Sequence, residues 1–129
     1  MQIDDFDGNA ITVNTETELL ARLRYVRRGR YGAFFLYHAA RFPALSVQIN
    51  GEIAYLHYFP VETHPGYQPR DLTPDGCPAE VHFLQPDGSE AESFDMPDYA
   101  IVAADAAYVA AIEFFNSRAL PPSISWLEL

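Results

Sequence analysis

An α+β fold is what this 129-residue sequence predicts: a mainly antiparallel sheet of about six to seven strands with two helices on one face. Three observations carry that reading. Thr15-Glu16-Thr17-Glu18 is a capping box placed just before a leucine stripe, which opens one helix. Residues 44–49 alternate apolar and polar side chains and run into Asn50-Gly51, a strong short-range hairpin signal. Ala104–Ser117 is alanine-rich with helical periodicity, and Pro121-Pro122 stand beyond it as a stop.

The elements follow in order. Residues 10–14 make the first strand, with Ile11 and Val13 alternating against polar neighbours. The capping box starts a helix at Thr15, expected over residues 16–28, with Leu19, Leu20, Leu23 and Val26 as its buried stripe and Gly29 and Gly32 at its end. Its acidic first turn and basic last turn suit the helix dipole. Residues 33–38 form an aromatic strand, and residues 44–49 turn Leu45, Val47 and Ile49 inward. Residues 52–59 return antiparallel, with Ile53, Tyr55, His57 and Phe59 on one face and Ala54, Leu56 and Tyr58 on the other. Both faces are apolar, which predicts a central strand.

Residues 60–78 change character, because Pro60, Pro65, Pro69, Pro74 and Pro78 with Gly66 and Gly76 work against regular structure. A loop of that length in a compact domain is often functional. The sheet is expected to resume over residues 79–84, turn at Pro86-Asp87-Gly88, return over 90–96 and form another strand over 99–102. The last helix carries Tyr108, Ala111, Ile112 and Phe115 on one stripe, widened by Ala107 and Phe114. Residues 123–127, which include the lone Trp126, make an edge or penultimate strand. The chain shows no internal repeat, so residues 1–129 read as one domain.

Charge is the most unusual bulk property. There are 18 acidic and 8 basic residues for a net charge of −10, and every basic residue is arginine. Arg22, Arg24, Arg27, Arg28, Arg30 and Arg41 lie early, and beyond them 13 acidic residues meet only Arg70 and Arg118. Such a chain is a poor direct ligand for nucleic acid or anionic lipid, and it can steer a basic partner. No apolar run reaches membrane-span length and the acidic start lacks a secretion signal, so cytoplasmic residence is expected.

Catalytic, cofactor and metal sites are all read as none. The chain has no phosphate-binding glycine motif and no zinc-protease motif. His38, His57, His64 and His82 lack ligand spacing, and Cys77 sits in a Pro-Gly loop with no basic neighbour to activate it. The carboxylates Glu62, Asp71, Asp75, Asp87, Glu90, Glu92, Asp95 and Asp98 fall in the long loop and the hairpin after it. They read either as a solvated face or as an acidic docking surface with Tyr55, Tyr58 and Tyr67 as aromatic anchors. The arginine group reads either as internal salt-bridge partners or as a docking patch of its own. Trp126 reads as core.

Glu113-Phe-Phe115, the Pro121-Pro122 turn and Ile124-Ser-Trp126 resemble the close of the immunity-protein family numbered first among those of bacterial polymorphic toxin systems. The strand-rich middle and the hairpin at Gly51 fit the same pattern, while Pro122 and the long proline-rich loop depart from it. The opening Asp4-Asp-Phe-Asp-Gly8 and the closing Trp126-Leu-Glu-Leu129 resemble members that accompany deaminase toxins. The resemblance implies a non-enzymatic inhibitor, monomeric when free, that blocks the active site of a cognate toxin acting on nucleic acid as a deaminase or nuclease. The expected contacts are Tyr55, Tyr58, Glu62, Tyr67, Asp71, Asp75, Asp87, Glu90 and Glu92, facing a basic toxin domain. Two other classes stay open: a small carboxylate- or His57-dependent hydrolase, and an adaptor for a basic secretion component. A deep pocket with two convergent titratable groups favours the hydrolase; a smooth acidic face favours the inhibitor.

Overall fold

Alternating side chains in the central strands give the sheet two different faces, and each is covered differently. The computed structural model describes residues 1–85 and 92–129. The element order is β1 (Gln2–Asp5), β2 (Ala10–Thr12), α1 (Glu16–Leu23), β3 (Tyr31–Tyr37), β4 (Ala44–Asn50), β5 (Ile53–Phe59) and β6 (Tyr67–Pro69). It continues with β7 (Glu80–Phe83), β8 (Phe94–Pro97), β9 (Ile101–Ala103), α2 (Ala104–Ser117) and β10 (Trp126–Glu128). Among the described residues eight strands form one antiparallel sheet in the order β10-β6-β5-β4-β3-β1-β2, with β9 also on β5. The sheet is therefore larger than the six to seven strands expected. β7 and β8 stay out of it and pair with each other as a separate ribbon.

Leu45, Val47 and Ile49 of β4 and Ala54, Leu56 and Tyr58 of β5 point into the main core, as their alternation predicts. Leu19 and Leu23 of α1 and Ala107, Ala110, Ala111 and Phe114 of α2 fill the same cluster. The small alanines let α2 lie close to the strands. Its most buried line is Ala107, Ala110, Ala111 and Phe114, whereas Tyr108, Ile112 and Phe115 flank it and are only half-buried. The opposite face of β5 begins a second cluster, in which Tyr55 packs with Val81, Phe83, Ala100 and Ile101 under the β7–β8 ribbon.

Several boundaries move for identifiable reasons. α1 ends at Leu23, five residues before Arg28, because the chain turns back at once into a bridge between Arg27 and Tyr31. Arg28 and Gly29 take φ of 56° and 66° in that turn. Its start is as expected: Thr15 Oγ1 accepts the Glu18 N–H at 3.1 Å, and the Glu18 carboxylate accepts the Asn14 N–H at 2.8 Å. Thr15→Ala is expected to lower stability by about 1 kcal/mol, measured as a shift in urea midpoint at unchanged slope. The β4–β5 connection is Gly51-Glu52, with Gly51 at φ 63° and Asn50 paired to Ile53 inside the ladder. Asn50 is thus freed to accept a hydrogen bond from Arg30 and donate one to the His82 carbonyl.

The long loop is not wholly irregular, since Tyr67–Pro69 form β6 between β5 and β10. Of the strand expected over residues 90–96, Phe94–Pro97 is β8; the Pro86-Asp87-Gly88 turn and residue 90 lie outside the described residues. Residues 98–100 form a 3-10 turn, so the strand expected over 99–102 is β9, Ile101–Ala103. α2 ends at Ser117, and the left-handed φ of 58° at the next residue, Arg118, turns the chain before the prolines are reached. β10 is an edge strand, and Trp126 is half-buried against the core, with its Nε1 donating to the Pro121 carbonyl at 2.8 Å.

Candidate functional site

The residues of β3, β4 and β5 that turn away from the helices meet on one face: Phe35, Ser46, Gln48, Tyr55, His57 and Phe59. Gln85, Phe94 and Met96 rise beside them from the ribbon side, and the space between is an open cavity of about 410 Å³. Strand alternation makes Ser46 and Gln48 look like solvent-facing positions, yet both are buried, Gln48 to 3% exposure. Gln48 Nε2 donates to Ser46 Oγ at 2.5 Å. Its Oε1 is buried with no partner among the described residues.

Tyr55 and His57 form the cavity's polar edge. His57 Nε2 lies 2.8 Å from the Pro65 carbonyl, which can only accept, so this nitrogen carries the proton. Nδ1 then accepts from the Tyr55 hydroxyl at 3.0 Å. Burial pushes the His57 pKa below its ordinary 6.5, against the opposing pull of the Pro65 carbonyl. Burial also pushes the Tyr55 phenol well up, so both groups are neutral near neutral pH. The imidazole stacks on Phe59 at 4.1 Å. Among the described residues no carboxylate lines the cavity, and both imidazole nitrogens are engaged. The pair therefore has no acidic partner to work with there.

The expected contact residues separate into three groups. Glu62, Asp71, Asp75 and Glu92 are exposed. Asp71 holds a left-handed φ of 60°, a conformation its short polar side chain tolerates. Tyr67 is half-buried, its ring stacked on His64. Tyr55 and Tyr58 are 5% and 7% exposed and point to opposite faces of β5, so the structure does not present them together as surface anchors. Asp87 and Glu90 lie outside the described residues.

Two exposed apolar residues stand near the acidic positions instead: Leu72 at 37% and Tyr99 at 60% exposure. The Thr73 hydroxyl donates to the Asp98 carbonyl at 2.8 Å and ties their two segments together. The sequence expectation of a strand at residue 99 concealed Tyr99, because only the 3-10 turn after Pro97 swings it outward.

The arginines have a different fate. Arg22 pairs with the buried Asp5 at 2.5 Å, Arg27 with Asp7 at 2.9 Å and Arg41 with Asp4 at 2.6 Å. Arg24 lies over the Tyr108 ring at 5.4 Å. The acidic N-terminal segment is thus the internal counter-charge of three early arginines, while Arg30 is held by Asn50. Cys77 is a free cysteine whose thiol pKa burial and the Asp98 charge push up, away from the reactive thiolate. Among the described residues no group of three or more His, Cys, Asp or Glu is placed to hold a metal ion. No described helix is long and apolar enough to cross a membrane.

Residues 7–128 match the family described as Immunity protein Imm1. The chain belongs to this immunity-protein family. Comparison with curated proteins gives no match. As an immunity protein it binds and neutralises a cognate toxin protein. The signature at Phe115, Pro121 and Trp126 is structural in this immunity protein: Pro121 is buried, and Phe115 and Trp126 pack against the main core.

Proposed function

We propose that the protein neutralises its toxin without catalysis, by laying the acidic, proline-broken side of the molecule over a basic cleft built to hold nucleic acid. The toxin on this reading is a deaminase or nuclease met in the cytoplasm, and the free inhibitor is a monomer. One observation carries the proposal: the charges are segregated. Arg22, Arg27 and Arg41 pair with Asp5, Asp7 and Asp4, while the acidic side chains of Glu62, Asp71 and Asp75 lie exposed in the middle region. What is left is an outward negative field, which accelerates encounter with a positive surface. Leu72 and Tyr99 supply apolar anchors within it, of the kind that hold an encounter complex once formed. We also take residues 1–129 as one unit, because both apolar clusters are built on β5.

The test uses the cognate toxin domain. Glu62→Gln, Asp71→Asn, Asp75→Asn and Glu92→Gln together are expected to slow association about tenfold at low salt and to flatten its dependence on ionic strength. Stopped-flow or surface-plasmon measurements read both. Unchanged association with an unchanged salt slope removes acidic occlusion from the account. A hydrolase reading finds no support in the cavity, where Tyr55 and His57 satisfy each other and Pro65.

A further inference from the structure

We propose that the cavity between β5 and the β7–β8 ribbon receives an arginine side chain of the cognate toxin. The inference deepens the toxin-binding reading above and rests on it. Four features converge on a guanidinium. Gln48 lines the cavity, and its buried Oε1 has no partner among the described residues; a small turn of the side chain would bring that acceptor to a guest, and a buried acceptor is costly to leave unpaired. Phe35, Tyr55, Phe59 and Phe94 contribute aromatic rings to the lining, and a ring face attracts a cation. The chain's net charge of −10 favours bringing a cation to this mouth. Burial lowers the His57 pKa, so this residue adds no positive charge to the cavity's polar edge near neutral pH.

The same lining separates arginine from lysine. Among the described residues the cavity offers no carboxylate, which a compact and strongly hydrated ammonium needs when it is desolvated. A guanidinium is planar, weakly hydrated and able to stack while one N–H reaches a carbonyl. Ring stacking of a guanidinium already occurs on this sheet face: Arg41, paired with the Asp4 carboxylate, lies 4.5 Å from the centre of the Phe35 ring and 4.9 Å from that of Tyr37. The cavity offers further rings, with the neutral Gln48 carbonyl in the place that the Asp4 carboxylate takes for Arg41. Its volume of about 410 Å³ is within the range of small-ligand sites. Turning the Gln48 amide over would orphan its NH₂ end instead and select a carboxylate, so the sign of the probe decides the orientation.

The experiment is an NMR titration of the intact protein with ethylguanidinium chloride, with ethylammonium chloride and sodium propionate as matched probes. Saturable shifts of the Gln48 side-chain amide are expected with ethylguanidinium, at least about threefold weaker binding of ethylammonium, and no response to propionate. Gln48→Leu, which removes the acceptor, is expected to weaken ethylguanidinium binding about tenfold. Met96→Trp fills the mouth without touching the acceptor and should have the same effect if folded spectra are retained. No saturable binding, equal affinity for ethylammonium, a response to propionate, or indifference to both substitutions overturns the proposal. Toxin binding by Gln48→Leu completes the separation. If it matches the parent while the four-carboxylate variant is slowed, the arginine pocket falls and acidic docking stands. If Gln48→Leu loses affinity and the four-carboxylate variant does not, the pocket stands and acidic docking falls.

Discussion

Gly66→Ala is expected to cost about 3 kcal/mol or more, from overpacking and an unfavourable backbone angle together. Gly66 has φ 98°, where an L side chain is strained. A Cβ built there lies 2.2 Å from His57 Nε2 and 2.8 Å from the Tyr58 carbonyl oxygen. Neither neighbour can simply withdraw. The imidazole is stacked on Phe59 and held through both nitrogens, and the carbonyl belongs to a central strand. The substitution therefore breaks the His57–Pro65 contact or displaces the start of β6. Thermal unfolding should show a midpoint lower by roughly 10 °C. Gly76→Ala is the control, because Gly76 has φ 75° with nothing within 4 Å of its Cβ. It should lose only about 1 kcal/mol for the backbone angle. Equal losses at the two glycines would show that the His57 contact is not what makes position 66 special.

Asp5→Asn should be nearly as damaging at neutral pH, by about 3 kcal/mol, since removing one member of a buried pair strands the other. Asp5 is 1% exposed. Its carboxylate accepts the Asp7 and Asn9 backbone N–H groups, both at 2.9 Å, and Arg22 Nη2 at 2.5 Å. Arg22 keeps 28% of its side-chain surface in water, which places the cost at the lower end of the buried-pair range. Burial opposes the Asp5 charge, but the Asn9 and Arg22 hydrogen bonds outweigh it and hold the pKa below its ordinary 3.8.

The direction with pH follows from that depression. A carboxylate whose folded pKa lies below its unfolded one contributes stability that is complete above about pH 5. The contribution fades as pH falls below the ordinary value and through the folded one. Parent and Asp5→Asn proteins should therefore differ most in urea midpoint at pH 7 and converge as pH falls through 3 and below. A gap that stays constant down to acid would mean that the Asp5 charge is not what stabilises the turn. Asp7, held low by Tyr25 and Arg27, shifts the parent's curve in the same direction.

Asp5 also shows why parts of the fold were hidden in the sequence. Gln2-Ile-Asp-Asp5 buries Ile3 and Asp5 on alternate positions, so β1 has the period of a strand with a charged residue facing inward. Read for apolar alternation, it vanishes. Gln48 hid in the converse way: Leu45, Val47 and Ile49 announce a buried face, and their partners then look exposed. The β7–β8 ribbon and the outer aromatic rings enclose the second face, and alternation carries no record of what lies across it. Tyr58 followed the same logic, since an aromatic residue in an apolar strand has equal claims to core and interface until its neighbours Phe114 and Trp126 are known.

What the sequence determined by itself is local and chemical. The Thr15–Glu18 box placed a helix start, Gly51 placed a hairpin, and the alternation of β4 and β5 assigned their core-facing residues. The order of aromatic, proline and tryptophan at the C-terminus pointed to the immunity family. These signals work because hydrogen-bond capping, backbone angles and side-chain period act over a few residues. Only the tertiary structure decided that β7 and β8 leave the main sheet, that β6 draws β5 and β10 together, and that Arg22, Arg27 and Arg41 pair with Asp5, Asp7 and Asp4. Those outcomes depend on which distant surfaces meet and exclude water. The same long-range packing left Glu62, Asp71 and Asp75 outward and buried a Gln48 carbonyl that has no partner among the described residues, in the lining of a cavity with several rings.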